Sequence, residues 1–204
     1  RNFPLRLVQE LGRKEAPTEE ELTHEFQKVE RLREQLTSVH LLDETQIQAP
    51  VTNASPEIRS TLQLYLQDTA NKLNALTGLA QRIGAFTEIL NGKFEGKTLI
   101  VDRRWGYRVL DDLGREIPPR ALSSGEQHQL VLLYSLIFRD EGPCLFLIYE
   151  PELSLHVSWQ EEVIPDLESI SASSESQFLL ATHSPVVIGE RSDLLVDLEV
   201  HDHV

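Results

Sequence analysis

The sequence predicts an α/β fold: a parallel sheet with flanking helices, preceded by a helical arm and a β-hairpin. From Leu122 onward, amphipathic helical patterns alternate with short apolar runs, which is the order of a parallel sheet. The runs at 144–148 and 177–181 are almost continuously apolar, as in strands covered on both faces. Before residue 90, apolar residues recur mainly at helical spacing. We therefore expect a helical region in residues 1–90 and an α/β lobe in residues 91–204.

The composition is that of a globular protein with an acidic surface. The 204 residues are 40% hydrophobic and carry a formal net charge of −14. This charge lacks the basic footprint of a free-standing nucleic-acid binder, so a nucleic-acid role would be indirect. The single cysteine, Cys144, is expected to be a small buried thiol and allows no disulfide framework. With no leader and no run of 18 apolar residues, the sequence predicts a cytoplasmic protein without membrane spans.

Two amphipathic helices are predicted in the helical region. The first begins at the capping pattern Thr18-Glu-Glu-Glu21 and ends near Ser38. The second begins at Ser55-Pro56 and is predicted to continue as one helix, on the order of 50 Å long, to Leu90. Its apolar or small positions alternate by four and three, and they are Leu62, Leu66, Thr69, Leu73, Leu76, Ala80, Ile83, Thr87 and Leu90. Two interpretations stay open: a helix packed on its own domain, or an antiparallel coiled arm formed with residues 19–38.

A β-hairpin is predicted from strands at 98–101 and 107–110. Just before it, residues 91–98 (Asn-Gly-Lys-Phe-Glu-Gly-Lys-Thr) end like a phosphate-binding loop. The spacing is wrong, because Asn91 occupies the position of the first glycine, and the residues that follow are strand-like rather than helical. We predict that this segment leads into the hairpin and binds no phosphate.

The rest of the lobe is predicted to alternate between helices and strands. Helices are expected at about 125–138 and 157–169, and strands at 144–148, 177–181 and 194–198. The carboxyl ends of such strands form the edge at which open α/β sheets bind ligands.

Residues 122–127 (Leu-Ser-Ser-Gly-Glu-Gln) form a candidate anion site. Ser123 offers a hydroxyl, Gly125 allows a ligand to approach the backbone, and the amides at the start of the following helix carry the positive end of its dipole. The alternative interpretation is an ordinary Ser-Ser helix cap with Glu126 in the first turn.

Two further side chains are predicted at the carboxyl edge of the sheet. The strand that ends with Leu145-Phe-Leu-Ile-Tyr149 is followed by Glu150, a candidate general base for a water molecule attacking a phosphate. The strand at 177–181 is followed by His183, which would sense or stabilise that phosphate if it lies beside Glu150.

In this order, these segments resemble the second lobe of ABC-type ATPase heads: signature loop, Walker B strand with its glutamate, D-loop and switch histidine. The amino-acid sequences of these motifs resemble most those of the PtuA-like ATPases of Septu and retron anti-phage defence, with overcoming-lysogenization-defect nucleases as relatives. The resemblance implies an ABC-ATPase-type sheet in residues 91–204, with ATP and Mg²⁺ as cofactors. It implies Glu150 and His183 as catalytic residues, and it implies that ATP is bound by Ser123, Ser124, Gly125, Glu126, Gln127, Ser154 and His156.

The chain departs from the family pattern in two places. The family has aspartate before the glutamate to hold Mg²⁺, whereas this chain has Tyr149, and no side chain of the chain itself is predicted to bind a metal. The Walker A and Q-loop lobe is absent, so we expect the chain to be a fragment of a longer protein in which that lobe precedes Arg1.

The resemblance implies a homodimer or higher homo-oligomer that controls a partner effector, an HNH nuclease like PtuB, with no membrane partner. The alternatives are an SMC-like DNA-repair ATPase, for which the arm is short, and a catalytically weak pseudo-ATPase scaffold, which Tyr149 favours. The terminal residues His201-Asp202-His203 are interpreted as a solvated tail rather than a metal site.

Overall fold

The computed structural model describes residues 16–44, 54–139 and 142–196. The chain divides into two compact units, residues 1–84 with 101–107, and residues 85–100 with 108–204. The helices and strands, in chain order, are α1 Glu19–Ser38, α2 Pro56–Asn74, α3 Thr77–Lys93, β1 Lys97–Asp102, β2 Gly106–Asp111, β3 Glu116–Ile117, α4 Ser124–Ile137, β4 Leu145–Tyr149, α5 Val157–Gln160, α6 Val163–Ser174, β5 Gln177–Ala181 and α7 Pro185–Ile188. None of the described helices is long and apolar enough to span a membrane.

In the first unit, α1 and α2 pack against each other. The Thr18 side chain accepts the amide of Glu21, and Glu21 in turn accepts the amide of Thr18, so the predicted capping box begins α1. Ser55 caps α2, with Pro56 at its first position. The shared apolar core is formed by Leu22, Phe26, Val29, Leu36, Leu66, Ala70, Leu73 and Ala80. Burial of this stripe stabilises the helix pair.

The prediction of one helix from 56 to 90 is wrong. The helix is interrupted at residues 75–76, so α2 and α3 are separate helices. The predicted apolar seam is interrupted at Leu76, which is exposed. The Thr77 hydroxyl donates to the carbonyl of Asn74 across the break. Threonine side chains compete in this way with helical hydrogen bonds. Each helix is therefore only about 30 Å long.

The second unit contains the parallel pair β4–β5, in the register Leu145 with Gln177 through Tyr149 with Ala181. Phe146 and Phe178 stack on one face, with ring centroids 5.2 Å apart. The other face is exposed, and Leu147 and Tyr149 are both 72% accessible. The prediction of a sheet covered on both faces is thus wrong for the described residues, because the helices of this unit cover only one.

The predicted hairpin is present as β1 and β2, joined by a turn at 103–105, and β3 adds a strand that the sequence did not predict. The segment at 91–98 ends α3 and enters β1, as predicted. Asn91 accepts the amide of Leu99 at 2.7 Å and donates to the carbonyl of Leu99 at 3.0 Å, which anchors the start of the strand.

Two other predictions differ from the structure. The helix predicted at 157–169 is two helices, because Pro165 has no amide to donate and is tolerated only in the first turn, so α6 begins anew at Val163. The strand predicted at 194–198 is not formed in its described part, where Ser192–Leu194 is a 3-10 turn, and residues 197–198 lie outside the described residues. The tail at 201–203 also lies outside them. Cys144 is half-buried rather than buried.

Candidate functional site

The signature loop (residues 122–127) enters α4 through a capping box. The Ser123 hydroxyl accepts the amide of Glu126 at 3.2 Å, and the Glu126 carboxylate accepts the amide of Ser123 at 2.8 Å. Two amides of the first turn are satisfied in this way, and those of Ser124 and Gly125 have no intrahelical acceptor. The helix cap and the anion site are therefore compatible, because the cap leaves amides of the same turn without an intrahelical acceptor.

Glu126 and Gln127 serve the loop itself. Glu126 is 5% exposed and pairs with Lys97 at 2.6 Å. Burial opposes ionisation of Glu126, but the bonds from Lys97 and Ser123 outweigh it and lower its pKa below the ordinary value. The Gln127 amide group donates to the carbonyl oxygens of Pro119 and Leu122. Both side chains hold the loop rather than reach outward.

Gly125 lies against the D-loop (residues 151–156). A β-carbon at this position would meet the carbonyl oxygen of Ser154 at 2.7 Å and the ring of Trp159 at 3.5 Å. The sequence predicted that the missing side chain of Gly125 lets a ligand approach the backbone. In the structure, the backbone of the D-loop occupies that space instead. Ser154 itself has a left-handed backbone, with φ of 66°, which side chains rarely adopt. The two loops are thus fixed against each other.

A polar cleft of about 640 Å³ opens between these two loops. Its lining includes Ser123, Ser124, Ser154, His156, Lys97 and Trp159. The His156 ring nitrogen Nδ1 lies 2.8 Å from the Ser158 hydroxyl and accepts the Ser158 amide, which caps α5. Exposed hydroxyls and the positive end of α4 suit this cleft to an anionic group such as a terminal phosphate.

Glu150 and His183 lie together at the carboxyl edge of β4–β5, as predicted. The Glu150 amide donates to the carbonyl of Ala181 at 2.7 Å, which continues the strand pairing by one residue. Glu150 has a left-handed backbone, with φ of 46°, and its carboxylate lies 3.9 Å from Nε2 of His183. The His183 side chain is 86% exposed, so few contacts fix its ring.

Glu152 connects the D-loop to the switch loop (residues 182–185). Its Oε1 accepts the hydroxyl of Thr182 at 2.7 Å and the amide of His183 at 3.1 Å. Burial opposes its ionisation, but these bonds outweigh it and lower the pKa of Glu152. The Ser184 hydroxyl extends the network to Gln160 at 2.8 Å. Glu152 is therefore an ionised anchor inside the candidate site.

Residues 12–189 match the AAA_21 family, described as "AAA domain, putative AbiEii toxin, Type IV TA system". The chain belongs to this AAA family. It is therefore an AAA-type ATPase domain.

Two solved structures are similar to this AAA domain. One is an SMC head bound to the C-winged helix domain of ScpA, with 18% identity, a TM-score of 0.41 and coverage of 60% of this chain and 39% of that chain. The other is an Smc head with an extended coiled coil bound to the C-terminal domain of ScpA derived from Pyrococcus furiosus, with 18% identity, a TM-score of 0.37 and coverage of 92% and 48%. The AAA domain spans less than half the length of either chain.

A tyrosine rather than a carboxylate precedes Glu150 at the end of β4. Nowhere in the described ranges do three metal-binding His, Cys, Asp or Glu side chains come together. Tyr149, at the position of the family aspartate, is exposed, and its hydrogen bond to the Glu150 carboxylate raises the pKa of its phenol. A phenol with a raised pKa stays protonated and is a poor ligand for a hard cation. The position directly before Glu150 therefore offers a phenol rather than a carboxylate to a metal.

Glu152 is the site residue that the sequence did not single out. It is 30 residues from Thr182, and nothing in the local pattern reveals this hydrogen bond. The available signal was topological: two polar turns that follow adjacent parallel strands meet at one edge.

Proposed function

We propose that this AAA-type ATPase domain hydrolyses ATP as one half of a composite site in a head-to-head dimer. In this proposal the signature loop and D-loop of one subunit bind the terminal phosphate of ATP held by the opposite subunit, through Ser123, Ser124, Gly125, Ser154 and His156. Glu126 and Gln127 maintain the conformation of the signature loop. The observation that carries the proposal is the polar cleft that joins the start of α4 to the D-loop.

The electrostatics of the cleft support an anionic ligand. The chain is acidic overall, with a net charge of −14, yet Glu126 in the cleft is neutralised by Lys97, and the first residues of α4 line the opening. Charge at a helix start is worth about 0.3–1 kcal/mol for each interaction. A phosphate also accepts hydrogen bonds from the serine hydroxyls, which adds charge-assisted bonds of the stronger kind.

Glu150 and His183 are the proposed catalytic residues on the same subunit as the bound nucleotide. Glu150 takes a proton from a water molecule while the oxygen of that water forms a bond to the γ-phosphorus and the bond to ADP breaks. His183 lies next to the carboxylate and donates to the developing charge on the phosphate. Mg²⁺ is expected to enter with the nucleotide phosphates, since the described part of the domain offers no cluster of three metal-binding side chains.

The exposed face of β4–β5 supports the proposal that a phosphate-binding lobe packs there. This face carries Leu145, Leu147, Tyr149 and Leu179, all more than half exposed. Apolar strands of this kind are ordinarily covered in α/β proteins. We propose that the lobe with the Walker A loop covers it in the intact protein, and that the dimer controls a partner effector, an HNH nuclease in anti-phage defence.

The substitution Glu150→Gln in the intact protein tests the catalytic assignment. We expect turnover of ATP to fall by about 10²–10⁴-fold with the KM for ATP nearly unchanged, because a general base is lost and no phosphate contact is removed. Glu161→Gln, an exposed carboxylate just after α5, is the matched control and should leave turnover unchanged. An ATPase rate that is equal in both variants would refute the assignment.

A non-enzymatic scaffold is the second candidate, and Tyr149 is the observation that favours it. If Tyr149 limits hydrolysis by withholding a carboxylate from the metal, then Tyr149→Asp should raise Mg²⁺-dependent turnover. No gain, together with undiminished ATP binding, would support the scaffold. Stimulation of hydrolysis by DNA would instead favour the SMC-like alternative.

A further inference from the structure

Resting on the proposed function, we infer that Glu152 is a positioning residue that sets the distance between His183 and Glu150. His183 has little else to hold it: its side chain is 86% exposed, and Nε2 is 3.9 Å from the Glu150 carboxylate, too far for a hydrogen bond. The position of the ring therefore follows the position of its backbone. That backbone is anchored by Glu152 through the amide of His183 at 3.1 Å.

The anchor joins the two loops that carry the catalytic pair. Glu152 lies two residues after Glu150, on the turn that follows β4, and its Oε1 reaches across to Thr182 and His183 after β5. The Thr182 hydroxyl, which donates to Glu152, also accepts the amide of Ser184 at 3.0 Å. One carboxylate oxygen thus orders three consecutive residues of the switch loop.

The second carboxylate oxygen of Glu152 lowers the stability of the fold, which points to a role of this residue beyond folding. Its Oε2 is buried and has no hydrogen-bond partner among the described residues. A buried unpaired oxygen of an ionised group destabilises the fold, and a glutamine would remove the charge while keeping an acceptor for Thr182 and His183. A charged acceptor forms hydrogen bonds roughly twice as strong as a neutral one. The carboxylate therefore holds the switch loop more tightly than a glutamine side chain would.

Hydrogen exchange of the His183 amide tests the anchor in this chain without nucleotide. Glu152→Gln should raise the exchange rate of this amide by about fivefold to tenfold, the factor expected when a charge-assisted bond becomes a neutral one. Glu161→Gln should leave it unchanged. Circular dichroism checks that each variant is folded, and Thr182→Val, which removes one donor from the same network, carries the same expectation if Glu152→Gln is not folded.

A double-mutant cycle in the intact protein tests the effect on catalysis. Glu152→Gln should lower kcat by about tenfold with KM within twofold, and the same change in a His183→Ala background should lower it by less than twofold, because the ring to be positioned is gone. Equal losses in both backgrounds, or an unchanged exchange rate, would overturn the inference. If instead Glu150→Gln leaves hydrolysis intact, the proposed function fails, and the exchange measurement still reports on the anchor.

Discussion

The packing of Gly125 against the D-loop gives the sharpest test of the site geometry. Alanine at this position places a β-carbon 2.7 Å from the carbonyl oxygen of Ser154, whereas ordinary contact begins near 3.4 Å. The two backbone segments must separate by about 0.7 Å, and overpacking of this kind costs about 1–3 kcal/mol. Alanine is also the better helix former, by about 0.5–1 kcal/mol. We therefore expect Gly125→Ala to lower the free energy of unfolding by about 0–2.5 kcal/mol.

Gly78 provides a matched control for this substitution. It is the second residue of α3, as Gly125 is the second residue of α4, and a β-carbon there would meet nothing within 4 Å. Gly78→Ala should therefore stabilise the protein by about 0.5–1 kcal/mol. The difference between the two variants isolates the cost of the contact with Ser154, which we place at about 1–3 kcal/mol.

Urea unfolding followed by circular dichroism measures both variants. In a Trp105→Phe background, the fluorescence of Trp159 reports on the D-loop, because its ring lies 3.5 Å from the added β-carbon. We expect this emission to change in Gly125→Ala and to stay constant in Gly78→Ala. If the two alanine variants gain equal stability and Trp159 emission is unchanged, the close packing of the signature loop on the D-loop is refuted.

Three further predictions concern buried charges. The Lys93 side chain is 2% exposed and pairs with Glu162 at 2.5 Å and with Asp166 at 2.9 Å. Lys93→Met should therefore destabilise the fold by about 2–4 kcal/mol in urea unfolding, and adding Asp166→Leu should recover part of this loss. A loss below about 0.5 kcal/mol would contradict the pairing. Folding lowers the pKa of Glu126, so its contribution to stability is present above about pH 4.3 and is lost as the pH falls. Glu126→Gln should therefore reduce the slope of unfolding free energy against pH, between pH 5 and 3, by up to about 1.4 kcal/mol per pH unit. An unchanged slope would argue against the lowered pKa. Burial raises the pKa of Asp166, so Asp166→Asn should change this slope in the opposite sense.

Local chemistry made the helix starts and the central strands predictable. Thr18 and Ser123 each stand three residues before a glutamate, and both form capping boxes. The strands β4 and β5 are short apolar runs that end in polar residues, and their parallel pairing brings Glu150 and His183 to one edge as expected. Pro165 was an available signal for the start of α6, because proline is tolerated in the first turn and not in the interior.

Long-range contacts could not be predicted from the sequence. The break at residues 75–76 contains Ala75 and Leu76, two good helix formers, so only the structure reveals it. The close approach of Gly125 to Ser154 and the bond from Thr182 to Glu152 join residues about 30 positions apart. The exposure of one face of β4 and β5 could not be predicted either. An apolar strand has the same sequence pattern whether one face or both faces are covered.

Mixing two inactive variants of the intact protein tests most directly that this domain completes the site of another subunit. Glu150→Gln removes the base beside a subunit's own nucleotide but leaves its signature loop whole. Ser123→Asp keeps a good helix cap and places a carboxylate where the phosphate would bind. In a symmetric dimer, each mixed pair then holds one whole site, so an equal mixture should recover about a quarter of wild-type ATPase activity. A mixture no more active than its separate components would contradict the account.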